Sequence, residues 1–448
     1  MKKQFLAGLG LCLLGFTAQA QWVSQPIGFA APGTTPFYLD AVDANTAWTV
    51  GAGLLSQSYV QPQLARTVNA GQTWTVSNLP VQASASEDFT ALSAISPTTA
   101  WVTTVVNNQG GRILRTTDGG LTWTTQSSAA VYGSPGSYPD LIHFFSATEG
   151  LTVGDFLMAG ARLEMYTTTN AGLTWTPLAT SPVALTNEFP VPTRPAVIGN
   201  HLWFATSEGR VFHSPDKGLT WTVAPVAPGL TDPTSLAFRD AQNGLLSVIN
   251  RNGTNHQLFR TADGGATWAA VPYTGPLHGI GLSAVPGTTF FVSTGADIGN
   301  GDQGSSVSRN NGQTWVALES TLNHLTAEFL SPTVGWSAGF TRTGGATNGS
   351  ANRFASTLLG TRADAALQAG LSVAPNPALG GRFTLQATRA GGTAQFVRVL
   401  DVAGRLVSQQ PWSGAAPLAL DLSAEPAGLY VLEVQGTAGT ARQKVVVQ

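Results

Sequence analysis

Beyond its first twenty residues the chain has no cysteine. The one Cys of its 448 residues, Cys12, lies in an apolar leader, so disulfides, thiol nucleophiles and thiolate metal sites are excluded from the rest. Charge is scarce as well: Asp, Glu, Lys and Arg make up 10%, with 22 Lys+Arg against 24 Asp+Glu, and setting aside Lys2 and Lys3 of the leader gives 20 − 24 = −4. Without a basic block, nucleic acid is not an expected partner. The six histidines show neither H-x-x-x-H nor HExxH spacing, and there is no P-loop and no GxSxG, so neither a metal nor a cofactor is expected. The longest apolar run, Phe5 to Phe16, is too short to span a bilayer comfortably, and no membrane span is expected.

What is abundant is Gly (51), Pro (26) and Trp (12). Low charge with many Gly, Thr and Val residues fits short strands and tight turns. An eight-residue box recurs six times. Its clearest copy is Thr116-Thr117-Asp118-Gly119-Gly120-Leu121-Thr122-Trp123, and all copies fit Ser/Thr-x-Asp/Asn-x-Gly-x-Thr-Trp. The variable acid or amide is Asn69, Asp118, Asn170, Asp216, Asp263 or Asn310, and the closing indoles are Trp74, Trp123, Trp175, Trp221, Trp268 and Trp315, spaced 49, 52, 46, 47 and 47 residues apart. A period in the forties suits one four-stranded propeller blade. The Asp or Asn and the hydroxyl bond backbone groups in a tight turn, the glycine takes a positive φ, and Thr-Trp opens a strand. The exchange of Asp for Asn argues for a structural role and against catalysis.

The box resembles the Asp-box, or bacterial neuraminidase repeat, which in its families joins the third and fourth strands of a blade. Those families include sialidases, sortilin-type receptors, xyloglucan hydrolases and photosystem II assembly factors. Each repeat also carries a second-strand signature, as in Ala47-Trp48-Thr49-Val50-Gly51 and Val334-Gly335-Trp336-Ser337-Ala338-Gly339, with Trp203, Leu245 and Phe290 in equivalent places. This signature resembles the photosystem II assembly factor branch more than it does the sialidases.

Taken in order, residues 1–20 read as a signal peptide: Lys2 and Lys3, an apolar core, then Ala18-Gln19-Ala20 as a cleavage site. Leu11 stands where a lipobox would want a small residue before Cys12, so lipidation is not expected. Gln21 to Ile27 looks like the strand that follows each box but has no box before it, whereas Leu325 to Phe340 opens a blade that no box follows. The two halves complement each other. The fold class expected is therefore all-β: a seven-bladed propeller over 21–360 whose N-terminal strand closes the last blade, removing the edges an open ring would leave.

Residues 361–370 read as a linker, and the period then stops. Val373-Ala374-Pro375-Asn376-Pro377, Val397-Arg398-Val399-Leu400-Asp401, Pro426-Ala427-Gly428-Leu429-Tyr430 and Lys444-Val445-Val446-Val447 follow. Alternating apolar residues in these short runs suit a small Ig-like sandwich over 371–448. The series closely resembles the type A C-terminal sorting domain of type IX secretion. That resemblance implies the secretion machinery and a sortase-like peptidase as partners, and a protein that passes the periplasm to be secreted or held at the outer cell surface. A monomer is expected.

The resemblance to sialidases would require three inner arginines, yet Arg66, Arg115 and Arg260 sit directly before boxes and Arg309 within one. A glycosidase needs two facing carboxylates. Loops entering each blade's inner strand share one face with the second-to-third-strand loops, opposite the boxes. Candidate ligand-binding residues on this ring face are Glu87, Asp88, Asp140, His143, Glu188, Arg194, Asp232, His278, His324 and Glu328. The stretch Asp297-Ile298-Gly299-Asn300-Gly301-Asp302 has oxygen ligands suited to Ca²⁺ but lacks the later bidentate Glu, and reads as a Gly/Asn turn. The expected function is recognition of an extracellular protein or glycan; the alternative is a glycoside hydrolase.

Overall fold

The computed structural model describes residues 21–53, 60–81, 87–106, 109–155, 161–191, 193–231, 233–343, 346–356, 358, 370–387, 394–401, 406–436 and 440–448. The signal-peptide stretch 1–20, most of the linker stretch and Asp232 lie outside them. The chain divides into two compact units, Met1–Thr357 and Leu358–Gln448.

The first unit is a seven-bladed propeller. Blade 1 contains Thr35–Ala41, Ala47–Ala52, Gln63–Thr67 and Thr75–Asn78 as antiparallel neighbours in chain order. Blades 2 to 6 repeat this plan, with inner strands Asp88–Ala94, Pro139–Phe144, Ala196–Ile198, Ser235–Phe238 and Gly281–Ala284. Blade 7 is composite. Asn323–His324 and Glu328–Ser331 pair with Val334–Thr343, which pairs with Ala346–Phe354, and Trp22–Pro26 from the start of the chain lies outermost. The N-terminal strand thus closes the ring. Nearly the whole second strand of each blade is buried between its neighbours. Trp48, Trp101, Leu151, Trp203, Leu245 and Trp336 are each buried in the same register. In blade 6 that register belongs to Val292, paired with Val307, and not to Phe290, because Phe291 already faces the box residue Ser308.

The second-strand tryptophans also fasten blades together. The Trp48 indole donates to the Ser96 carbonyl of blade 2 at 3.0 Å, Trp203 to Gly264 of blade 5 at 2.8 Å, and Trp336 to Asp43 of blade 1 at 3.3 Å. An apolar body with one polar tip lets a single side chain fill the interface and satisfy a turn carbonyl.

All six box turns share three hydrogen bonds. In blade 3, Thr168 Oγ1 donates to Asn170 Oδ1 at 3.0 Å and accepts from the Gly172 amide at 3.0 Å, while Asn170 Oδ1 accepts from the Thr174 amide at 2.9 Å. The box glycine has φ near +82° here, and the residue before it is also left-handed, Ala171 at +62°. That preceding position is Ala70, Lys217 or Asn311 in three other boxes, a strain the sequence pattern does not mark, and Gly119 or Gly264 in the remaining two.

The second unit is a sandwich. Leu371–Ala374, Arg382–Ala387 and Leu418–Asp421 form one sheet; Leu406–Pro411, Ala394–Leu400, Gly428–Gly436 and Thr440–Val447 form the other. Phe383, Leu385, Val397, Val399, Leu432 and Val445 are buried in one cluster between them, as the alternation requires. Asn376 joins the ends: its amide donates to the Lys444 carbonyl at 2.7 Å and its oxygen accepts from the Val446 amide at 3.0 Å.

Candidate functional site

The inner strands bring side chains from distant parts of the sequence to the ring axis. Arg194 leads into blade 4, yet its Nη2 lies 3.0 Å from Asp40 Oδ1 of blade 1 and 2.7 Å from Glu328 Oε1 of blade 7. Since blade 4 stands opposite blades 7 and 1, the guanidinium spans the channel. The second oxygens are used too: Asp40 Oδ2 accepts from the Ala94 amide of blade 2 at 2.6 Å, and Glu328 Oε2 from the Ala41 amide at 2.8 Å. Burial, only partly offset by Arg194, raises Asp40 and pushes Glu328 up to about 7. Burial opposes the Arg194 charge, but Glu328 and Asp40 outweigh it. His143 from blade 3 is driven down to about 3 by burial and by Arg194, so it is neutral there.

Glu87 and Glu188 serve a different purpose. Both are fully buried and each is clamped by an arginine four residues before a box. Arg112 donates to Glu87 through Nε at 2.7 Å and Nη2 at 2.6 Å. Arg210 donates to Glu188 through Nε at 2.8 Å and again through Nη2. Thr104 and Thr206 each add a hydroxyl at 2.5 Å. Such bidentate, charge-assisted geometry is what makes a buried pair tolerable. These two carboxylates are therefore consumed within blades 2 and 4. Asp88 is exposed at the start of its strand, with its carboxyl raised by partial burial.

Blade 3 breaks the pattern. Asp140 faces Asp155, at the end of the second strand, and burial with that neighbour drives Asp140 well above the ordinary carboxylate range. Burial likewise pushes Asp155 up to about 6. Like charges this close cannot both ionise at neutral pH, so the pair shares a proton. Glu164 stands beside them, accepting from Tyr166 Oη at 2.5 Å and from Ser137 Oγ.

The histidines are held in the walls. Asp302 Oδ1 lies 2.9 Å from His278 Nδ1, and Oδ2 lies 3.0 Å from His256 Nε2. The Asn250 amide donates to His256 Nδ1, so its Nε2 carries the hydrogen. Burial works to raise Asp302, but the two imidazoles outweigh it and its carboxyl is lowered. Asp297 closes an Asx turn, accepting from the Gly299 and Gly301 amides, and its other oxygen faces Arg342 at 3.3 Å. His324 is buried in the closing blade between Glu319 at 3.0 Å and Ser337 at 2.5 Å. Among the described residues no group of three or more His, Cys, Asp or Glu is arranged around a metal position.

Of the residues singled out from sequence, Arg194, Glu328 and His143 meet at the axis, whereas Glu87, Glu188, His278 and His324 are each held in separate blades. Asp40, Asp155, Glu164, His256 and Glu319 were not singled out. One signal for Glu164 was present: the position four residues before each box reads Gln63, Arg112, Glu164, Arg210, Gln257 and Gly304.

Seven blades closed by the chain's own N-terminal strand make a β-propeller, and a separate C-terminal sandwich follows it in the chain. Residues 372–448 match the family model described as the secretion system C-terminal sorting domain, which marks the chain for type IX export to the cell surface or beyond. Among solved structures, YCF48 bound to D1 peptide is similar at 19% identity and TM-score 0.52, over 75% of this chain and 97% of that one. YCF48 from Cyanidioschyzon merolae is similar at 17% identity and TM-score 0.52, over 75% and 99%. A Trypanosoma rangeli sialidase with the inhibitor DANA is more distant, at 12% identity and TM-score 0.43, over 94% and 87%. These likenesses are of fold. No curated protein matches the chain. Among the described residues no helix is long and apolar enough to cross a membrane.

Proposed function

We propose that the protein passes through the periplasm to the cell surface and acts there as a recognition scaffold, its ring face receiving an extracellular protein or glycan. The observation that carries this reading is how the ring carboxylates are used. Glu87 and Glu188 are locked to arginines, and Asp40 and Glu328 are tied to one guanidinium. A glycosidase needs two carboxylates separated across a cleft, one to protonate the leaving oxygen and one to act as base or nucleophile. Carboxylates bound on both oxygens, by arginine alone at Glu87 and Glu188 and by Arg194 with a backbone amide at Asp40 and Glu328, favour rigidity over proton transfer. A rigid ring with variable loops suits binding, and the fold likeness to a propeller solved with a peptide agrees with a protein segment as ligand.

The hydrolase alternative has one observation in its favour: the raised carboxyls of Asp140 and Glu328, which suit a general acid. A single screen separates the two. The purified full chain is offered glycan and peptide arrays and, in parallel, soluble polysaccharides followed for reducing ends. Retention without product release is expected. Release that disappears in an Asp140→Asn/Glu328→Gln variant overturns the proposal.

A further inference from the structure

The repeats provide an internal control for blade 3. Glu87 stands seven residues before Ala94, which pairs with Ala100 across the first two strands of blade 2. Ser137 stands seven before Phe144, which pairs with Gly150 in the same way. Arg112 and Glu164 both stand four before the box hydroxyl. Where blade 2 has a buried Glu–Arg pair, blade 3 has Ser137 donating to Glu164. Blade 4 keeps the neutral pair through Glu188 and Arg210. Blade 3 therefore has an acid where blades 2 and 4 have an arginine, and Asp140 and Asp155 add two more.

The carboxylates have no cation of their own among the described residues. Arg162, two residues before Glu164, turns instead to the Ser181 carbonyl. Asp140 Oδ2 and Asp155 Oδ1 are both shut off from solvent and, apart from the proton the two carboxyls share, accept from no donor among the described residues.

A second feature borders this cluster. The connection from blade 3 to blade 4 folds back along the start of the Glu164 strand: the Leu163 amide donates to the Pro182 carbonyl and the Ala184 amide to Ala161, each at 3.0 Å. On that connection Val183, Leu185 and Phe189 are 50, 47 and 43% exposed. Apolar side chains left open beside uncompensated charge are what a partner surface looks like.

The geometry points to a docking surface on blade 3 for an extended protein segment, with a lysine or arginine entering the Asp140–Asp155–Glu164 cluster and its apolar neighbours covering Val183, Leu185 and Phe189. This deepens the recognition reading and rests on it. The occupant is assigned by charge complementarity: an incoming ammonium or guanidinium supplies the cation that Arg112 and Arg210 supply in the flanking blades. The proton shared by Asp140 and Asp155 leaves to solvent as it enters. Lysine and arginine also bring donors that the two carboxyls can accept once that proton has left.

The test is fluorescence anisotropy on the full chain with three labelled decapeptides: alternating Lys/Leu, alternating Glu/Leu and alternating Lys/Ser. The Lys/Leu peptide is expected to bind, to weaken steeply with salt, and to lose at least about tenfold in affinity with Asp155→Asn/Glu164→Gln. Lys/Ser should bind more weakly and Glu/Leu not at all. Glu164→Arg restores the residue that blades 2 and 4 carry, so it should abolish binding while leaving the thermal midpoint unchanged or higher, which separates lost binding from lost fold. Lys/Leu binding unaffected by either variant overturns the inference, as does a Ca²⁺-induced rise in midpoint without peptide binding. If a glycan or other ligand is retained while blade 3 proves indifferent, the recognition reading stands and this inference fails. If no peptide or glycan is retained, both fail.

Discussion

Asn69, Asn170 and Asn310 occupy the turn position held elsewhere by Asp118, Asp216 and Asp263, and the threonine four residues on explains why both are allowed. With an acid, the hydroxyl donates: Thr220 Oγ1 to Asp216 Oδ2 at 2.7 Å. With an amide the bond reverses, and Asn170 Nδ2 donates to Thr174 Oγ1 at 2.9 Å. A hydroxyl can do either, so the turn accepts an ionised acid or a neutral amide. Asn170→Asp is accordingly expected to shift stability by only about 0.3 kcal/mol. Asn170→Ala, which strands the Thr168 hydroxyl and the Thr174 amide, should cost about 1 kcal/mol, as the loss of a helix cap does. Urea midpoints of the two variants check this. Equal losses would mean that the side-chain bonds contribute nothing and that the glycine alone shapes the turn.

The closing strand makes the ring a ring. Trp22 is 2% exposed. Its indole donates to Ser305 Oγ of blade 6 at 2.9 Å, and its ring meets His324, Phe329 and Phe354 at centroid distances of 5.0, 5.6 and 5.2 Å. Ser305 in turn donates to Glu319, which holds His324. One residue near the start of the chain thus anchors the seam between blades 6 and 7. Trp22→Ala should cost about 3–5 kcal/mol, the range for a large core aromatic, and open the seam to limited proteolysis between blades 6 and 7, while Trp22→Phe should retain most of the protection. If the alanine variant resists protease as the parent does, the strand is not what holds the ring shut. This closure was legible in the sequence because two half-repeats, one at each end, are each incomplete in the way the other completes. The third strand of blade 7 was less so. Its Gly/Asn-rich composition is that of a turn, and it becomes a strand because Trp22–Pro26 and Val334–Thr343 pair with its two sides. The ring-face partners were the least legible. Glu87 with Arg112, and Arg194 with Asp40 and Glu328, join residues separated by loops whose lengths differ between blades, and no periodicity of side chains specifies where such loops lead.

Across the whole propeller, carboxyls shifted in opposite directions set how stability depends on pH. Asp118 and Asp263 are lowered from 3.8 to about 2, chiefly by the hydroxyls of Thr122 and Thr267. Glu319 is lowered from 4.5 to about 2: burial opposes its ionisation, but His324 more than compensates. Groups held below their unfolded values stabilise the fold above about pH 4, and that contribution is lost as the pH falls towards 2. Glu328 and Asp155 run the other way. Burial raises them from 4.5 to about 7 and from 3.8 to about 6, so the native state holds protons that the unfolded chain has released. Their contribution is full in acid and drains away as the pH rises from about 4 to 7. The two sets together place maximum stability of the propeller near pH 4–5, below the neutral optimum of a protein whose carboxylates are all salt-bridged. Denaturant midpoints from pH 2 to 8 should trace this maximum. Glu328→Gln should flatten the limb between pH 5 and 7 and leave the limb below pH 4 unchanged, since the axis and the box turns titrate independently. A neutral limb that survives Glu328→Gln and Asp155→Asn together would mean that these two carboxyls do not set it, leaving Asp40 and Asp140, also raised by burial, as its source.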